Sequence, residues 1–108
     1  MDPEIWKDIP DYEGLYQISS IGRIKSFRIG GPVKNCPRKT PLILTAKINN
    51  GYGYVILSKN NKQKTCSVHR LVLSSFVGKD EREINHKDCN KLNNNLSNLE
   101  YCTRAHNI

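Results

Sequence analysis

Polar and apolar positions alternate on either side of Ile21-Gly22, with Tyr16 and Ile18 before the reversal and Ile24 and Ser26 after it. A period of two around a Gly-containing turn predicts a short β-hairpin. Trp6 and Tyr12 precede the hairpin and are expected to fold over it. Gly30, Gly31, Pro32, Pro37 and Pro41 then interrupt any regular pattern and mark a loop that carries Lys34, Arg38 and Lys39. Beyond that loop the alternation resumes and predicts strands over residues 42–47, 54–58 and 63–69. Asn49-Asn50-Gly51 and Asn60-Asn61 lie between them, residues that suit tight turns because they tolerate the left-handed backbone region. From residue 67 the period lengthens. Leu71, Val72, Ser75 and Phe76 line one face of a short helix over residues 67–78, and Gly78 is its stop. A last apolar stretch at residues 99–102 follows an Asn-rich polar loop and reads as a further strand. The elements add up to an α+β fold, a β-rich module over residues 1–66 followed by a second region over 67–108.

Charge changes this picture more than composition does. The net charge is +7, yet residues 21–79 contain twelve Lys and Arg and no carboxylate, while the acidic residues cluster at the two ends. A stretch of that kind is suited to meeting a polyanion, and Lys47, Lys59, Lys62 and Lys64 would place the charge at the turns and on one face of the sheet. Most such contacts go to phosphate and position the protein without reading sequence. Tyr52 and Tyr54 are read as packing residues rather than base-stacking ones. Hydrophobic residues make up only 37% of the chain, so the core is expected to be thin. No run of eighteen apolar residues exists, so no transmembrane helix and no membrane partner is expected. The acidic start MDPEIWKD does not resemble a signal peptide, which points to the cytoplasm. Cys36, Cys66, Cys89 and Cys102 form no CxxC pair. They are read as reduced thiols, although Cys89 and Cys102 flank the polar loop and could face each other as a disulfide or a zinc pair. A zinc-stabilised interaction domain is therefore an alternative.

The candidate chemistry lies in residues 84–107, INHKDCNKLNNNLSNLEYCTRAHN. Here His86 follows Asn85, and Asn98 and Asn107 come after the polar loop. Histidine takes up a proton near neutral pH and so can activate water. Side-chain oxygens can hold a hard cation that keeps open positions for phosphate. Together they would suffice for one-metal hydrolysis of a phosphodiester.

Residue types, order and spacing here resemble the HNH endonucleases, whose site is a ββα-metal finger. The resemblance implies that Asn85 and Asn107 are ligands of Mg2+ (or Mn2+), that His86 is the general base, and that Asn98 orients the loop. It extends upstream. Val68-His69-Arg70-Leu71-Val72 with Phe76 matches the V-H-R-L-V-x-x-x-F form that precedes the finger. Residues 6–19, WKDIPDYEGLYQIS, and 22–26, GRIKS, are similar to a small DNA-binding module found before the catalytic region in phage and intron-encoded members. The partner implied is double-stranded DNA, contacted by Arg23, Lys25, Arg28, Arg38, Lys39, Lys47, Arg70, Lys87 and Lys91. Arg70 is expected to grip the scissile phosphate bidentately, and His69 to pack between strand and helix. The activity implied is a nick or a double-strand break, made for a phage or mobile element.

Two departures from the family pattern set further expectations. Asn85 is neutral where many members carry a carboxylate, which predicts weak cation affinity before DNA binds. The sequence given stops at Ile108, just past Asn107, so the final helix is expected to be truncated. A catalytically incomplete DNA-binding module is then the alternative, unless a partner chain, a second copy or another ligand such as Asp88 completes the site.

Overall fold

Strand pairing in the computed structural model, which describes residues 3–27 and 41–102, is antiparallel throughout. β1 (Trp6–Asp8), β2 (Tyr16–Ser19), β3 (Ile24–Ser26) and β4 (Leu42–Leu44) form one sheet in that order. The reversal at Ile21-Gly22 sets the register, Ile18 opposite Ile24, and so turns Tyr16, Ile18 and Ile24 to the inside together. The Trp6 ring does reach the hairpin, with Lys25 Nζ 3.9 Å and Arg23 Cζ 5.6 Å from its centroid. Trp6 is itself paired into the sheet opposite Ser19, as part of the three-residue edge strand WKD. Tyr12 does pack edge-on against Tyr16, with ring centroids 5.7 Å apart.

The strand expected over 42–47 is two strands. Leu42–Leu44 completes the first sheet, and β5 (Lys47–Asn49) opens a second with β6 (Tyr52–Lys59) and β7 (Lys62–Ser67). Thr45 and Ala46 carry the chain from one sheet to the other, a change of partner that alternation cannot register. Asn50 and Gly51 at one turn and Asn60 and Asn61 at the next all have positive φ, the geometry tight hairpin turns require. Gly53, Val55 and Leu57 face inward along β6, whereas Ile56 between them is exposed. β7 ends at Ser67, so His69 is helical and not part of the strand expected over 63–69.

The helix α1 (Val68–Phe76) buries Val68, Leu71, Val72 and Leu73. Its N–H groups at Val77 and Gly78 both return to the Leu73 carbonyl, and Gly78 has φ +135°, a stop that glycine accommodates. Ile9, Ile18, Ile24, Leu57, Val68, Val72 and Leu73 are all less than 2% exposed, and each such burial contributes about 1.5–3 kcal/mol. They belong to one cluster with Tyr16, Val55, Leu71 and Leu99, so residues before and after position 66 share a core. The Tyr16 hydroxyl accepts the Ser58 N–H at 3.0 Å and ties the first sheet to the second.

The last pair is β8 (Glu83–His86) with β9 (Leu99–Cys102), His86 opposite Leu99 and Asn85 opposite Glu100. A 3₁₀ turn, Leu96–Asn98, leads into β9. Arg28, Arg38, Lys39 and Asn107, singled out from the sequence, lie outside the described residues, as does Cys36.

Candidate active site

The loop between β8 and β9 is polar in sequence but tightly bonded. Asn98, only 8% exposed, accepts the Asp88 N–H at 3.1 Å and donates to Asp88 Oδ1 at 3.0 Å and to the Asn93 carbonyl at 2.8 Å. Asp88 also accepts from the Asn90 N–H and from Asn93 Nδ2, each at 2.8 Å. The Asn93 bond first, then the Asn90 N–H, holds its carboxyl below the ordinary carboxylate range. Both Asp88 oxygens are thereby committed to the loop, which leaves this residue poorly placed as a substitute cation ligand. These three side-chain bonds of Asn98 all stay within the loop. They fix the loop that leaves His86.

His86 itself is 6% exposed. Its Nε2 lies 3.0 Å from Asn94 Oδ1. A carbonyl oxygen can only accept, so this bond selects the tautomer with the proton on Nε2 and leaves Nδ1 with a free lone pair. Asn94 is in turn clamped by the N-terminal hairpin. Gly22 lies so close that a Cβ there would stand 2.9 Å from Asn94 Cβ and 3.2 Å from its carbonyl oxygen. Beside it, the Leu96 N–H donates to the Ser20 carbonyl at 2.7 Å. The turn at Ser19–Gly22 thus seats the finger loop, and through Asn94 it orients the imidazole.

Two rings from the middle of the chain complete the surroundings. Tyr52 of β6 lies with its centroid 5.3 Å from His69 and 6.0 Å from His86, and the two imidazoles are 5.2 Å apart edge-to-face. Lys91 Nζ sits 4.8 Å over the Tyr52 ring. His69 Nδ1 is buried with no hydrogen-bond partner among the described residues. Burial first, then the charges of His86 and Arg70, lowers its pKa to about 4 from 6.5. The unfolded chain therefore binds one more proton than the folded chain between those two values, and acidification across that window destabilises the fold. Below about 4 both states are protonated and the effect levels off. His69→Gln should flatten the fall in urea midpoint between pH 6.5 and 4, and an unchanged slope would mean that another group carries it.

Alternation along β8 sends Asn85 and His86 off the strand in opposite directions. Asn85 meets its cross-strand neighbour, donating from Nδ2 to Glu100 Oε1 at 3.0 Å. Glu100 was not among the residues expected in the site, since a single acid in a strand looks like solvated surface. Among the described residues no three His, Cys, Asp or Glu side chains converge on a common point. The cysteine pairing does not form, because Cys89 is an exposed loop residue with φ +63° while Cys102 is buried and donates to the Glu83 carbonyl. Zinc held by that pair is therefore not supported.

The basic residues divide into free and engaged. Lys47 and Lys87 are exposed. Arg23 forms an ion pair with Glu4 and, with Lys25, lies over the Trp6 ring. Arg70, expected on the scissile phosphate, is turned elsewhere. Helical rotation of about 100° per residue separates it from His69. Its guanidinium donates to the Asp80 carbonyl at 2.7 Å and lines an open cavity of about 870 Å³ with Ile9, Tyr12 and Cys66. Here Arg70 braces the segment leading to β8.

Comparison with known proteins agrees with this architecture. A family model described as the NUMOD4 motif matches residues 4–69, and one described as HNH endonuclease matches residues 66–108. An HNH endonuclease of Acanthamoeba polyphaga mimivirus, L245, is 41% identical over 104 residues, which is 94% of this chain and 28% of the relative. The DNA endonuclease I-HmuI of Bacillus phage SP01 is 38% identical over 105 residues, 95% of this chain and 55% of the relative. A solved structure reported under "DNA binding and cleavage by the HNH homing endonuclease I-HmuI" superposes with a TM-score of 0.76 at 39% identity, over 95% of this chain and 55% of that one. The chain thus spans about half the length, or less, of these relatives.

Proposed function

Because the chain belongs to the NUMOD4-motif family and carries an HNH endonuclease segment, we propose that it hydrolyses phosphodiester bonds of double-stranded DNA, as the nuclease of a phage or mobile element. The cell compartment would be a bacterial host's cytoplasm. The observation that carries the reading is the His86–Asn94 hydrogen bond, which leaves Nδ1 of His86 as the acceptor. Nδ1 takes a proton from water, and the water oxygen attacks phosphorus. The bond from phosphorus to the 3′-oxygen breaks, and that oxygen collects a proton from solvent. Asn98 keeps the loop and hence Asn94 in place; Asn94 keeps the ring in place.

The donor chemistry suits a hard cation, because Asn85 carries a carbonyl oxygen and its amide Nδ2 stands 3.0 Å from the Glu100 carboxylate. Asn85, with Asn107, would hold Mg2+ or Mn2+. When bound, the ion neutralises phosphate charge and stabilises the leaving oxygen. Hydrolysis in this sense leaves 3′-hydroxyl and 5′-phosphate ends, so the nicks should be sealed directly by DNA ligase. Products that need end repair before ligation would contradict the stated bond cleavage.

Lys47, Lys87 and Lys91 are exposed cations that would meet phosphate. Binding to a duplex should weaken with salt, with a log–log slope of about −0.9 for each phosphate neutralised. Replacing all three by alanine should flatten that slope by about two to three contacts' worth, measured by fluorescence anisotropy over a salt series. A slope equal to wild type would remove this surface from the interface.

A further inference from the structure

The geometry points to Glu100 as a direct cation ligand, paired with Asn85 and supplying the negative charge that asparagine lacks at that position. This rests on the nuclease reading above, and goes beyond it by naming a ligand outside the Asn85 and Asn107 set. The cross-strand register fixes the two side chains opposite each other on one face of the β8–β9 hairpin. Asn85 Nδ2 donates to Glu100 Oε1 at 3.0 Å. An octahedral Mg2+ holds its oxygens at about 2.0–2.1 Å, so two neighbouring ligand oxygens stand about 2.9 Å apart. An oxygen in the position now held by Nδ2 would stand about one such edge from Glu100 Oε1. Turning the Asn85 amide over exchanges Nδ2 for Oδ1 with little movement, since the two ends have nearly the same shape. The donor–acceptor contact then becomes a pair of adjacent oxygen ligands. Without a cation, the N–H bond to the carboxylate keeps both groups in place. Glu100 is partly exposed.

The test is Mn2+ binding to the full chain, followed by electron paramagnetic resonance of the free aqua ion. The wild-type chain should bind Mn2+, and Glu100→Gln, equal in shape, should weaken binding by about 10–100-fold. Asn85→Asp should tighten it. Glu83→Gln removes the same charge two residues from Asn85 on the same strand and should have a much smaller effect. Addition of Mg2+ should also shift the side-chain amide resonances of Asn85 in wild type but not in Glu100→Gln. Equal Mn2+ affinity in wild type and Glu100→Gln, equal losses in Glu100→Gln and Glu83→Gln, or no Mn2+ binding by wild type at millimolar metal each overturns the assignment. The two readings fail separately. Metal-dependent cleavage with no role for Glu100 sinks the ligand alone. Glu100-dependent Mn2+ binding without any DNA cleavage sinks the nuclease and leaves the ligand standing.

Discussion

Replacing His86 with alanine is expected to lower DNA cleavage by about 10²–10⁴-fold, the usual scale for loss of a positioned general base, while duplex affinity changes little. The size follows from how the ring is held. It is buried, its Nε2 is tied to Asn94, and the Tyr52 and His69 rings stand beside it. The other imidazole here, His69, has its unpartnered Nδ1 closed off from solvent. Affinity should persist because the basic residues lie on other elements. Single-turnover cleavage with saturating protein separates the two effects. Equal single-turnover rates in wild type and variant would take the base role away from His86.

Gly22→Ala is expected to lose both stability and activity, although Gly22 lies far from His86 in sequence. Its φ of +89° disfavours any side chain, and the added Cβ would meet Asn94 Cβ at 2.9 Å and Val68 Cγ1 at 3.5 Å. The backbone strain alone costs about 1–2 kcal/mol. The clash must be relieved by moving Asn94, and that releases the imidazole it orients. Gly14→Ala provides the comparison, since Gly14 has φ +80° with nothing within 4 Å of a Cβ. That variant should show the strain penalty and keep its catalytic rate once folded. Gly22→Ala should unfold at lower urea and, where still folded, cut at least tenfold more slowly, about 1.4 kcal/mol of barrier. If the two variants match in stability and rate, the hairpin does not brace the site.

Local pattern carried the sequence reading a long way. Tyr16, Ile18 and Ile24 announced the first hairpin, Asn50-Gly51 and Asn60-Asn61 announced two turns, and Gly78 announced the helix stop. The spacing of Asn85, His86 and Asn98 marked the finger. What stayed hidden depends on approach between segments distant in sequence. Nothing in Asn93-Asn94-Asn95 says which of three identical side chains faces the imidazole. Tyr52 looked like a packing residue because its neighbours, His69 and His86, are brought to it by a strand, a helix and a hairpin. Glu100 became visible only through cross-strand register. Residues 42–47 read as one strand because alternation records which side a residue faces, not which strand it pairs with.

Cleavage of a supercoiled plasmid by the purified chain, run with Mg2+, with Mn2+ and with EDTA, tests the central claim most directly. Relaxed or linear DNA is predicted with either metal, with none in EDTA and little from the His86→Ala protein in any condition. Conversion that continues in EDTA, or a wild-type protein that binds the plasmid and leaves it supercoiled with both metals, would contradict the account.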